Sequence, residues 1–202
     1  MIRLRQPTFV GKLACNRSGV AAIEFALVLP IMLLLFMGSF EATNLVLASM
    51  KLEASAETAA DLVARTKVNA VLQSTDFTNI TNAAKQVLTP LPTSGTQLKI
   101  AYASATYSTG TAVIDWHYEV NSATAITTAN IPNSASLANL GSQTSGSTDS
   151  VIIVKLTYAY SSPISYVLSS SYTLIESAFN RPRYMNCVPV NLSAPFNTGV
   201  CP

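Results

Sequence analysis

Charge is what this chain has least of. Only 11% of its 202 residues are Asp, Glu, Lys or Arg, where soluble domains carry about 25%. Histidine occurs once, at His117, and tryptophan once, at Trp116. The three cysteines, Cys15, Cys187 and Cys201, have no close spacing. With one histidine, that pattern gives no metal-ligand set. No phosphate loop or dinucleotide fingerprint is present, so no cofactor is expected. Serine is so frequent that no Ser/His/Asp constellation can be assembled, and no catalytic residue is expected. His117, on the polar side of a strand pattern with Asp115 and Glu119, reads as a surface residue.

Acidic residues are missing altogether before Gly19, where Arg3, Arg5, Lys12 and Arg17 lie. The rest of the chain holds eight basic and ten acidic residues, a net charge of −2. The formal +2 is therefore a basic tail on a thinly charged body, with no basic face for nucleic acid. Basic residues ahead of an apolar run keep that flank in the cytoplasm. The body is then expected on the other side, in the periplasm or outside the cell. There Cys187 and Cys201, with thirteen residues between them, could close the tail as a disulfide or stay as two thiols.

What the chain has in plenty is apolar length. Residues 25–40 carry no charge and as a helix span roughly 24 Å. Residues 20–23 and 42–47 extend the run toward the roughly 30 Å of a hydrocarbon core. The lipid bilayer is thus the first expected partner. Glu24 and Glu41 fall near its two faces, and Glu41 is expected to meet water or headgroups at the outer one. Pro30 is expected to bend the helix. A secretory signal peptide fits poorly, because the run is too long and no Ala-x-Ala site follows. A lipoprotein site at Cys15 lacks a preceding apolar region. An uncut anchor and a short leader removed ahead of the run both stay open.

Beyond the span, Leu45, Ala48, Leu52, Ala56, Ala59 and Val63 recur at spacings of three and four, the helical period. The helix is expected to run over 20–68 as one rod, with its outer half packed on a sheet. A second helix is expected over 77–88, capped by Ser74, Thr75 or Asp76 and ended by Pro90 and Pro92. Alternation predicts strands at 97–107, 112–120, 151–160 and 171–178, the first two joined as a hairpin at Ser108, Thr109 and Gly110. Residues 121–150 read as a long, flexible exposed loop. The expected fold class is α+β: a long N-terminal helix against a small antiparallel sheet. The expected divisions are a leader over 1–19, the helix over 20–68, an α+β domain over 69–180 and a tail over 181–202.

The segment Gly19-Val20-Ala21-Ala22-Ile23-Glu24-Phe25-Ala26-Leu27-Val28-Leu29-Pro30 closely resembles the N-terminal signature of the TadE/TadG-like family. These are minor pseudopilins of the tight-adherence (Tad, Flp-type) pilus system. The likeness continues through Leu33, Leu34, Leu35, Gly38, Glu41 and the alanine-rich stretch 54–65. Arg181-Pro182-Arg183 is a weaker echo near the other end, and the middle of the chain carries no matching motif. The resemblance implies a bacterial inner-membrane protein of one span with a cytoplasmic N-terminus. A prepilin peptidase would cut between Gly19 and Val20. Glu24, beside Phe25, would then meet the new amino group of a neighbouring subunit and set its register. The implied partners are that peptidase, other minor pseudopilins, the major pilin and the pilus platform proteins. Other readings remain: an uncleaved bitopic scaffold or adhesin, an enzyme on a stalk, and a type II secretion pseudopilin.

Overall fold

The computed structural model describes residues 18–108, 111–132, 150–165 and 171–192. Helix α1, Ser18–Ala64, is 47 residues long, about 70 Å at helical rise. It runs through Pro30 without ending. Proline removes one N–H from the ladder. In a bilayer, however, any non-helical backbone would lose far more bonds. The helix ends four residues before the expected position 68, and Asn69 beyond it takes a left-handed φ of 68°.

A two-residue strand β1, Leu72–Gln73, leads into helix α2, Ser74–Leu88. Ser74 and Thr75 lie inside this helix, so the expected capping position moves to Gln73. Its backbone N–H donates to Asp76 Oδ2 at 2.9 Å, the half of a capping box in which the third helical residue reaches back. Strands β2 (Leu98–Ser108), β3 (Thr111–Val120), β4 (Ser150–Tyr160) and β5 (Tyr172–Asn180) form one antiparallel sheet in the order β3-β2-β4-β5. A last strand β6, Val190–Asn191, pairs in parallel with β1. The α+β class and the helix-on-sheet layering match the sequence expectation.

The outer half of α1 packs on β4, β5 and α2. Ala48, Leu52, Ala56, Ala59, Ala60 and Val63 are all buried. Small side chains let the helix lie close to the sheet. They meet a core of Phe77, Leu88, Tyr102, Trp116, Leu156 and Tyr158. Phe77 of α2 is its hub: its ring stacks on Tyr118 at 4.6 Å and lies 5.2 Å from Tyr102 and 5.6 Å, edge-on, from Trp116. Such offset and edge contacts add about 0.5–1.5 kcal/mol beyond burial. Two polar links tie the layers, Ser55 Oγ donating to the Ala84 carbonyl at 2.9 Å and Thr81 Oγ1 bonding Tyr102 Oη at 3.0 Å.

The other face of the sheet is also covered. Ala101, Ala103, Ala105, Ile114, Val151 and Ile153 form a second cluster around Ile126, which is 1% exposed. Ile126 lies in the stretch expected to be an exposed loop, so its first part instead lies back on the sheet. Residues 133–149 of that stretch fall outside the described residues.

Strict alternation along β3 also breaks. The register slips between Ser104 and Ala105, so that Ser104 pairs with Trp116 and Ala105 with Ile114. Asp115 is the extra residue, and a bulge of this kind turns the residues beyond it to the opposite face. Trp116 therefore joins the helix-side core while Ile114 joins the second cluster.

Candidate functional site

The first twenty-odd residues of α1 are mostly exposed among the described residues. Val20 is 55% exposed, Phe25 60%, Leu27 71% and Leu35 69%. A Cβ built on Gly19 meets nothing within 4 Å, so that peptide is sterically open. Glu24 is exposed on the same helix and has no ion pair among the described residues. Helix geometry thus places Gly19, Val20, Glu24, Phe25 and Pro30 on an unpartnered apolar rod. The helix is long and apolar enough to cross a membrane.

The junction between rod and domain differs from expectation. Glu41 is fully buried rather than open to water, because the domain begins to cover α1 at this turn. Its charge lies close enough to Tyr160 to act on it. The Tyr160 phenol is pushed above its ordinary value, first by burial and then by Glu41. Among the described residues, Asn44 Nδ2 and Tyr160 Oη are buried without a hydrogen-bond partner. Both residues line a cavity of about 290 Å³, together with Leu47, Lys51, Pro90 and Pro163. Cavities and clefts are where ligands are usually held, but the remaining lining here is mostly apolar.

At the far end of α1, the Arg183 side chain pairs with Asp61, which also pairs with Arg65. The Arg183 N–H donates to the Ala64 carbonyl at 2.9 Å, satisfying one of the orphan acceptors of the helix end. The Arg181-Pro182-Arg183 motif is therefore tied to the helix C-terminus. Glu53, Glu57, Asp61, Glu176 and Arg183 line an open groove of about 600 Å³ between α1 and β5. Its charges are largely solvated, where such pairs contribute little.

The polar residues of β3 do not converge on a reaction centre. Asp115 is buried at the bulge and accepts hydrogen bonds from Ser104 Oγ at 2.9 Å and Thr106 Oγ1 at 2.8 Å. Burial pushes its carboxyl up, and these two hydroxyls pull it back. His117 is half-buried rather than a surface residue, with Nδ1 2.6 Å from Glu119 Oε1. Asp115 thus leaves the polar face where alternation placed it beside His117. No group of three or more His, Cys, Asp or Glu able to hold a metal occurs among the described residues.

Cys187 is buried and disulfide-bonded, with its Sγ 3.9 Å from Asp115 Oδ2. Cys15 and Cys201 both lie outside the described residues. Around Cys187 the chain is tied to the sheet: Trp116 Nε1 donates to the Val188 carbonyl and the Ser150 N–H to that of Asn186, each at 2.8 Å. Sequence reasoning missed this anchoring, because Val188 and Leu192 form no periodic run.

Among protein-family models, that described as TadE-like protein matches residues 19–61. No curated protein matches the chain, and no solved structure does. The matched stretch opens at Gly19 and takes in Glu24, Phe25, Pro30, Glu41 and most of the alanine stripe that packs on the sheet. Over that segment, which is nearly the whole of helix α1, the chain is similar to the TadE-like family.

Proposed function

We propose that the chain is a structural subunit, a minor pseudopilin, of a Tad-type adhesive pilus. It would insert in the bacterial inner membrane with its N-terminus in the cytoplasm and its α+β domain in the periplasm. A prepilin peptidase would cut after Gly19. The released Val20 amine and Glu24 would then pair between neighbouring subunits, beside Phe25. Other minor pseudopilins, the major pilin and the platform proteins would pack on the exposed helix. Pro30 would bend that helix within the membrane, and Cys187 would pair with Cys201.

One observation carries the reading. The TadE-like match begins at Gly19, on a helix whose apolar membrane-length stretch is not buried by the described residues. A carboxylate on such a surface is costly unless it is met by an opposite charge. An ammonium from a neighbouring helix meets it and fixes the axial register of packing. The Glu24→Ala variant tests this. Membrane insertion should stay normal while pili on the cell surface are lost, scored by electron microscopy. Normal piliation in that variant would remove the role given to Glu24.

A further inference from the structure

Between Phe25 and Met50 the exposed face of α1 carries no charge, since Glu41, the one charged residue there, is fully buried. The exposed hydroxyls Ser39 and Thr43 are satisfied by donating at 2.8 Å to the carbonyls of Phe36 and Ser39. Val46, Leu47 and Met50 remain 57%, 49% and 60% exposed although the domain already flanks them. This uncharged surface is about 39 Å long at helical rise. That exceeds a hydrocarbon core of about 30 Å. The domain's near edge therefore reaches into the interfacial layer.

The residues at that edge fit such a place. Pro163 lines the cavity beside Asn44, while the next residue, Ile164, lines a lower groove of about 440 Å³ with Pro30, Leu33, Leu34 and Met37. Met37 is four residues, about 6 Å, below Glu41, and Leu33 is about 12 Å below it. Any bilayer that takes in Leu33 to Met37 takes in the Ile164 side chain too. Irregular backbone survives at that depth only if its polar groups find partners. Here the turn supplies two of them: Ser165 N–H donates to Ser162 Oγ at 3.4 Å, and Ser165 Oγ donates to the Ser162 carbonyl at 2.7 Å. Ile164 is nevertheless 42% exposed, so its outer side faces whatever surrounds the helix.

We propose that Pro163 and Ile164 form an interfacial wedge. Ile164 sits in the outer leaflet, and the groove between it and Pro30, Leu33, Leu34 and Met37 holds a lipid acyl chain. Depth decides the occupant, because the groove is continuous with the lipid-facing surface of α1. The wedge also fixes how the domain stands on the membrane, which a single helix alone leaves free to rock. This inference rests on the membrane-spanning reading of α1.

The test uses the full chain in phosphatidylethanolamine–phosphatidylglycerol vesicles whose acyl chains are brominated midway. Three variants each add one tryptophan at an exposed site: Ile164→Trp, Leu35→Trp in the span, and Val113→Trp on the distant edge strand. The buried Trp116 of the unsubstituted chain gives the background. Emission from Leu35→Trp and Ile164→Trp should shift to the blue and be quenched, with Val113→Trp unaffected. Quenching of Leu35→Trp but not of Ile164→Trp overturns the wedge and leaves the span intact. No quenching of Leu35→Trp defeats the span and the wedge with it. Quenching of Ile164→Trp that disappears as protein is concentrated in the bilayer assigns the groove to a second copy, and overturns lipid as its occupant.

Discussion

The indole N–H of Trp116 donates to the carbonyl of Val188 at 2.8 Å, across 72 residues of chain. Both residues are buried, at 1% and 0% exposure. The bond fastens the C-terminal segment to the edge strand β3, beside the ring of Phe77. Trp116→Phe keeps an aromatic ring but leaves the Val188 carbonyl buried and unpaired. The cost should be about 2 kcal/mol, read as a lower melting temperature of the detergent-solubilised chain by circular dichroism. An unchanged melting temperature would show that the segment is held without this bond.

The close seat of α1 on the sheet rests on alanine. Ala59 is fully buried, whereas Ala54, five residues earlier on the same helix, is exposed. Ala59→Leu must push the helix off the core it packs against and should destabilise by about 1–3 kcal/mol. The same change at Ala54 should stay within about 0.5 kcal/mol. Equal effects at the two positions in matched thermal unfolding would contradict the packing described for this face.

Asp115 should mark the acid side of the stability profile. Burial raises its carboxyl above the ordinary 3.8, so the folded chain holds this proton more tightly than the unfolded one. The stabilisation from that proton is complete below the unfolded value and is lost as pH rises through the raised folded value. Asp115→Asn keeps an oxygen to accept from Ser104 and Thr106 but has no proton to lose. The melting temperature of the unsubstituted chain minus that of Asp115→Asn should therefore fall with rising pH across this window. A difference that stays flat would mean that Asp115 titrates alike in both states.

How much of this could be read from the sequence depends on whether a feature is periodic. The stripe from Ala48 to Val63, the hairpin of β2 and β3 and the apolar strand β4 repeat at fixed intervals, so their faces were legible. The bulge at Asp115 was not. Alternation assumes one register, and a single extra residue reversed the face of Ile114. Ile126, Val188 and Leu192 are isolated apolar residues in polar stretches. Only the folded sheet shows that it needs them as cover. Glu41 was read as exposed because helix pattern alone does not reveal where a domain begins to cover the rod. Gly19, Glu24 and Phe25 are exposed among the described residues, so the expectation placed on them comes from the motif rather than from tertiary contacts.

The central claim is that residues 1–19 are a leader and that Val20 begins the working subunit. Intact-mass spectrometry of the protein from cells with and without an active prepilin peptidase tests it most directly. The account predicts a chain starting at Val20 when the peptidase is present, and the longer chain retaining Gly19 when it is absent. The full chain from Met1 in both strains would contradict it and leave the protein as an uncleaved bitopic scaffold.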